Sequence, residues 1–218
     1  MLKAVLFDMD GTLGNTLPLC VEAYRQCVDE LTGTRPSEPE VVSFFGLSDR
    51  GVLGALLHMN PEDPALPIGR FTEIYKRLHP ALAPAPFDGA RALMEGARDA
   101  GLRVGIISGK EDYTAEPTLE LFGLNDLVEW KGYGKPTHNA KAERLQEAMA
   151  YWQLAPEELL YIGDAPSDIT LCHSVGVRII NAAWAPDSDA VKAACQAEHP
   201  DYHLTDIRQA LPLILSLI

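Results

Sequence analysis

Cysteine is scarce in this chain and never closely paired: Cys20, Cys27, Cys172 and Cys195 are the four among 218 residues, with no CxxC spacing. That scatter argues against a disulfide framework and fits reduced packing residues in a cytoplasm. Positive charge is also short. Lys and Arg number 18 against 31 Asp and Glu, for a net charge of −13, and no basic stripe gathers locally. Such a chain repels nucleic acid and anionic lipid, so neither is expected as a partner. Long apolar runs are missing too. The amino-terminal run is only four residues, has no cleavage site and passes straight into carboxylates, so neither a signal peptide nor a membrane span is expected. The six histidines show no regular metal-binding spacing.

What is present begins with that short run. Ala4-Val5-Leu6-Phe7 is too short for a helix and does not alternate, so it suits a strand buried on both faces of a parallel sheet. Asp8 stands at its carboxyl end and Asp10 two residues on, and Gly11-Thr12 supplies a turn that lets backbone amides approach a ligand. The pattern recurs. Val104-Gly105-Ile106-Ile107 ends in Ser108-Gly109-Lys110, and Leu159-Leu160-Tyr161-Ile162 ends in Gly163-Asp164, with Asp168 four residues later. Each alone could be a turn or a helix cap. Three buried strands ending in groups suited to phosphate and metal point to a site.

From Leu17 the character changes. Leu17, Val21, Tyr24, Val28 and Leu31 fall at helical steps, and shorter helical pieces follow at 41–45, 50–58 and 68–78. The Pro-rich passage at 80–86 reads as a linker that cannot continue a helix. Beyond it helices at 89–100, 115–121, 139–152 and 167–175 alternate with strands at 103–107, near Val128, and at 159–162 and 177–181. A last helix is expected within 204–218. This alternation predicts an α/β fold, a doubly wound parallel sheet, with core residues 1–15 and 84–218 and a helical insert at 16–83.

The set DMDGTL at 8–13, ISGK at 107–110, GKP at 134–136 and GDAPSD at 163–168 resembles the four ordered motifs of the haloacid dehalogenase superfamily, in a form similar to its phosphoglycolate phosphatase branch. The resemblance implies a Rossmann-like core whose insert is a cap closing over the active site. It implies Asp8 as a nucleophile forming an aspartyl-phosphate and Asp10 as the acid that protonates the leaving alcohol and then activates water. Ser108 and the Gly109 amide would hold a phosphoryl oxygen. Lys135, in the GKP motif, would balance phosphate charge and orient Asp8, with Lys131 as its rival. Hard oxygen donors without a His or Cys cluster favour Mg²⁺, held by Asp8, Asp10 through its carbonyl, and Asp164. Asp168 would be a further ligand or an anchor behind the ligands. Arg50 resembles a position from which caps reach substrate, although a surface arginine is the competing reading. Gly14 and Asn15 depart from the common pattern after DGTL and would loosen the hinge into the insert. Asp10 argues for phosphoryl transfer over carbon–halogen cleavage, because dehalogenases of the superfamily lack that acid.

The expected function is therefore a Mg²⁺-dependent phosphatase acting on a small phosphorylated metabolite, cytoplasmic, as a monomer or homodimer. Two alternatives stand beside it: a phosphosugar mutase of the β-phosphoglucomutase type, and a non-catalytic metabolite-binding protein on the same fold.

Overall fold

A computed structural model of the chain describes residues 1–186 and 189–218. Strand β1 (Ala4–Phe7) is buried along its whole length, and four helices follow it before the next strand: α1 (Leu17–Thr32), α2 (Glu38–Val42), α3 (Asp49–Leu57) and α4 (Ile68–Leu82). Helix α5 (Ala90–Asp99) then leads into β2 (Arg103–Ile107), α6 (Asp112–Leu121) and β3 (Trp130–Gly132). The chain continues through α7 (Lys141–Trp152), β4 (Leu159–Gly163), α8 (Pro166–Ser174) and β5 (Arg178–Ala182). It ends with α9 (Asp189–Ala197), β6 (Tyr202–Leu204) and α10 (Ala210–Leu215).

The strands form one parallel sheet in the order β3-β2-β1-β4-β5-β6. The chain therefore winds outward from β1 in one direction, then returns to β1's other side at β4 and winds the opposite way. A crevice opens at such a reversal, outside the carboxyl ends of the two strands flanking it, and here those strands are β1 and β4. Successive side chains point to opposite faces, so β1 feeds two cores. Val5 and Phe7 join Val104, Ile106, Leu160 and Ile162 on one face. Ala4 and Leu6 join Leu159, Tyr161 and Ile179 on the other, covered by Leu145 and Trp152 of α7 and Ile169 of α8.

The helices after β1 pack mainly on one another and on α6. Phe71, Ile74, Tyr75 and His79 line the buried side of α4, and Phe71 stacks on Tyr24 of α1 with ring centroids 4.4 Å apart. Helix α4 runs on through Pro80 to Leu82, against the sequence expectation of a linker beginning at 80. The proline removes the bond to the Lys76 carbonyl, but Lys76 and Pro80 both lie on the exposed side, where water can satisfy that carbonyl.

The ends of α3 and α6 are tied by reciprocal caps. The Asp49 carboxylate accepts from the Glu111 amide at 2.9 Å and from the Thr114 hydroxyl, and also from the Tyr24 hydroxyl at 2.7 Å. The Glu111 carboxylate in turn accepts from the Ser48 hydroxyl and, at 3.3 Å, the Arg50 amide. Each acid thus satisfies amides that the other's helix end leaves without intrahelical partners.

At the carboxyl end the structure has more than the expected single helix. Strand β6 pairs with β5, a 3₁₀ turn spans Ile207–Gln209, and α9 precedes them. Cys195 is the buried residue of α9, so the core holds little of that segment. Among the described residues the cysteines are all buried and form no disulfide, and no helix is long and apolar enough to cross a membrane.

Candidate active site

Asp8 and Asp164 leave the carboxyl ends of β1 and β4, the two strands that flank the crevice. Asp168 lies in the first turn of α8, which begins just after Asp164 and aims that turn back at the same edge. The three carboxylates are buried, with oxygens all within 4.8 Å of one another. Backbone economy makes this approach possible. Gly11 has φ +77°, and a Cβ there would sit 2.0 Å from an Asp164 oxygen; a Cβ on Gly163 would sit 2.3 Å from an Asp168 oxygen.

A lysine stands between the acids, and it is Lys141. Its Nζ donates to Asp8 Oδ2 at 2.7 Å and to Asp168 Oδ1 at 2.6 Å. Burial disfavours the ammonium, but Asp168 and Asp8 outweigh this and hold its pKa above the ordinary lysine value. Asp8 is pushed up to about 7, first by burial and then by the nearby Asp168 and Asp10 charges, with Lys141 opposing. One ammonium does not neutralise this acid cluster, so the donor set is short of a cation.

Lys135, expected in that position, is not there. Its ammonium pairs with Glu143, which also receives His138 at 2.6 Å, while its backbone carbonyl accepts from the Ser48 amide at 2.9 Å. The GKP segment is instead a packing loop: a Cβ on Gly134 would lie 2.0 Å from the Gly109 carbonyl, and one on Gly51 2.4 Å from the Pro136 carbonyl. Lys131, the rival, binds Glu116 at 2.7 Å. A signal for Lys141 existed. A cation in the first turn of a helix opposes the helix dipole, so a lysine opening α7 calls for a carboxylate nearby.

Asp10 faces the other way, toward α1. Its Oδ1 accepts from the Thr16 hydroxyl and lies 3.2 Å from Lys110 Nζ, which is buried and 2.8 Å from Cys20 Sγ. Burial works against the Lys110 ammonium, yet Asp10 and its other neighbours keep its pKa well above the usual value. Ser108 follows β2 in the strand next to β1, 1% exposed, with Oγ accepting from the Lys110 amide at 3.2 Å; Gly109 and Lys110 line the cavity beside it. Thr12, not singled out by sequence, donates to Asp164 Oδ1 at 3.1 Å. Arg50 turns away from the cavity, its guanidinium donating to the carbonyls of Pro61 at 2.8 Å and Asp63 at 3.4 Å. Gly14, expected to loosen a hinge, answers instead to space: a Cβ there would lie 2.5 Å from the Phe122 ring.

Asp8, Asp10, Asp164, Lys110 and Lys141 open into a cavity of about 840 Å³ whose opposite wall comes from α1 to α3. A buried acid cluster, a lysine between two of its members and a roofed cavity at a parallel sheet's switch point mark an enzyme-type site on an α/β fold. Residues 5–182 match the family model of haloacid dehalogenase-like hydrolases, and the chain belongs to that family. A phosphoglycolate phosphatase from Thiobacillus denitrificans is 31% identical over 186 residues, 82% of each chain. The pyrophosphatase PpaX of Bacillus cereus is 24% identical over 99% of this chain and 98% of its own. Among solved structures, CbbY from Rhodobacter sphaeroides in complex with phosphate superposes with a TM-score of 0.75, at 19% identity over 95% of both chains.

Proposed function

We propose that the protein is a Mg²⁺-dependent phosphatase that hydrolyses a small phosphorylated metabolite through an aspartyl-phosphate on Asp8. The observation that carries this reading is the buried Asp8–Asp164–Asp168 cluster with Lys141 bonded to two of its members. An Asp8 oxygen attacks phosphorus, the bond to the ester oxygen breaks, and the departing oxygen takes a proton from Asp10. Asp10 then removes a proton from water, whose oxygen attacks phosphorus, releasing inorganic phosphate and restoring the Asp8 carboxylate. Lys110 is placed to pass from Asp10 to an incoming phosphoryl oxygen, which frees Asp10 for proton transfer. Ser108 and the Gly109 amide, at the neighbouring strand end, receive another oxygen.

The oxygen-only donor set and its missing positive charge fit Mg²⁺. Asp8, Asp164 and the Asp10 carbonyl would hold it. Both Asp168 oxygens are already engaged, one by Lys141 and one by the Ala165 amide at 3.3 Å, which favours Asp168 as the anchor of Lys141. Bound there, Mg²⁺ supplies charge to the transferring phosphoryl group. The helices of 17–82 act as the cap over the cavity.

The test is release of inorganic phosphate from p-nitrophenyl phosphate with Mg²⁺. Asp8→Asn lowers it by about 10³-fold or more while far-UV circular dichroism is unchanged. Retained turnover in that variant refutes the mechanism, and isomerised sugar phosphate in place of free phosphate would move the assignment to a mutase.

A further inference from the structure

We infer that the site takes phosphomonoesters of uncharged alcohols with an apolar body and selects against substrates bearing a second anionic group. This rests on the phosphatase reading above and names its substrate class. The wall facing the catalytic edge is apolar, from Leu17, Val21, Val42, Phe45, Leu47 and Val52. Among the described residues its charged members are three acids, Glu22, Glu38 and Asp49, and one arginine, Arg25.

Among the described residues, every cation lining the cavity already has a partner. Lys141 is held by Asp8 and Asp168, and Lys110 by Asp10 and Cys20. Arg25 donates through Nε to the Pro36 carbonyl at 2.9 Å and stands 3.9 Å from Glu22. Glu22 is itself clamped by Arg35 at 2.6 Å, which holds that carboxylate at the rim. Arg50 lies outside the lining.

The two lysines sit against the acids that would perform the reaction, so their charge serves the phosphoryl group being transferred. A carboxylate or second phosphate on the leaving side would meet hydrocarbon and like charge, and among the described residues of that wall the one cation, Arg25, is already bonded to the Pro36 carbonyl and set beside Glu22. An alkyl or hydroxyalkyl group would meet complementary surface. The chain would thereby differ from relatives named for phosphoglycolate and pyrophosphate, whose leaving groups are anionic.

The experiment compares kcat/KM with Mg²⁺ for 2-hydroxyethyl phosphate and phosphoglycolate, which differ by CH₂OH against carboxylate, alongside butyl phosphate and inorganic pyrophosphate. Both neutral esters are expected to exceed both anionic substrates by about tenfold or more. That ratio should shrink as salt rises, since screening weakens like-charge repulsion, and shrink again in Glu22→Gln/Glu38→Gln. Arg25→Gln should change all four substrates alike and leave their ratio where it was. Equal or better turnover of phosphoglycolate or pyrophosphate overturns the inference alone, as does a selective loss of phosphoglycolate turnover in Arg25→Gln or a ratio that neither salt nor the double variant moves. No turnover of any of the four overturns the phosphatase reading and this inference with it.

Discussion

Lys135 and Lys141 belong to the same passage from β3 into α7, yet only Lys141 reaches the acids, because α7 starts there and its first turn faces the sheet's carboxyl edge. Lys141→Met should lower kcat by about 10² to 10³-fold, whereas Lys135→Ala, which breaks an exposed pair with Glu143, should leave kcat within about twofold. Steady-state kinetics on one ester distinguishes the two lysines. His79 makes a second residue-scale prediction. Its Nε2 lies 2.9 Å from Thr118 Oγ1, a hydroxyl that also meets the Tyr75 hydroxyl at 2.8 Å and donates to the Thr114 carbonyl. Nδ1 is buried and, among the described residues, has no hydrogen-bond partner. Burial lowers the pKa of His79, and backbone groups at 79 and 83 offset part of that while Lys110 adds to it. The unfolded chain therefore binds this proton more readily, so His79's contribution is complete above the ordinary value of 6.5 and is lost as pH falls below it. Urea unfolding from pH 7.5 to 5.5 should show this loss, at most about 1.4 kcal/mol per pH unit, and His79→Leu should have a flatter profile whatever its absolute stability.

At the scale of elements, the reciprocal capping of α3 and α6 ties the helices after β1 to the sheet's own layer. Asp49 and Glu111 each end a helix that is not their own, which no propensity in either segment announces. Asp49 is 4% exposed and accepts three hydrogen bonds, so Asp49→Asn, which puts an amide NH₂ against donors, should cost about 2 kcal/mol. In a chain of this size that lowers the melting temperature by roughly 4 to 8 °C. A double-mutant cycle with Glu111→Gln should give a coupling of about 0.5 to 3 kcal/mol, since both side chains serve one junction; strict additivity would mean that they act separately.

Over the whole molecule, the −13 charge is spread widely but concentrates buried carboxylates at one sheet edge. A cation that binds there binds the folded chain alone, because the unfolded chain does not bring residues 8, 10 and 164 together. Mg²⁺ at 100 times its dissociation constant should add about 2.7 kcal/mol to unfolding free energy, reversed by chelator and sharply reduced in Asp164→Asn. Thermal melts with Mg²⁺, with chelator and with each variant check this, and a melting temperature indifferent to Mg²⁺ in the native chain would contradict the metal assignment.

Much of the sheet was legible in the sequence because a strand buried on both faces must be continuously apolar, as at 4–7, 104–107 and 159–163. The polar residues at those strand ends, Asp8, Ser108 and Asp164, were legible for the same reason, since a polar residue directly after such a run lies at the sheet's edge. β6 and α9 were not, being short and sparsely buried, nor was the run of α4 through Pro80, which depends on which side of the helix meets water. The choice of lysine, the outward turn of Arg50 and the cross-caps of Asp49 and Glu111 were decided by tertiary structure alone. Local sequence sets what a segment can hide from water. Which charge finds which partner depends on distances between segments far apart in the chain, and those are fixed only when the helices have packed over the sheet.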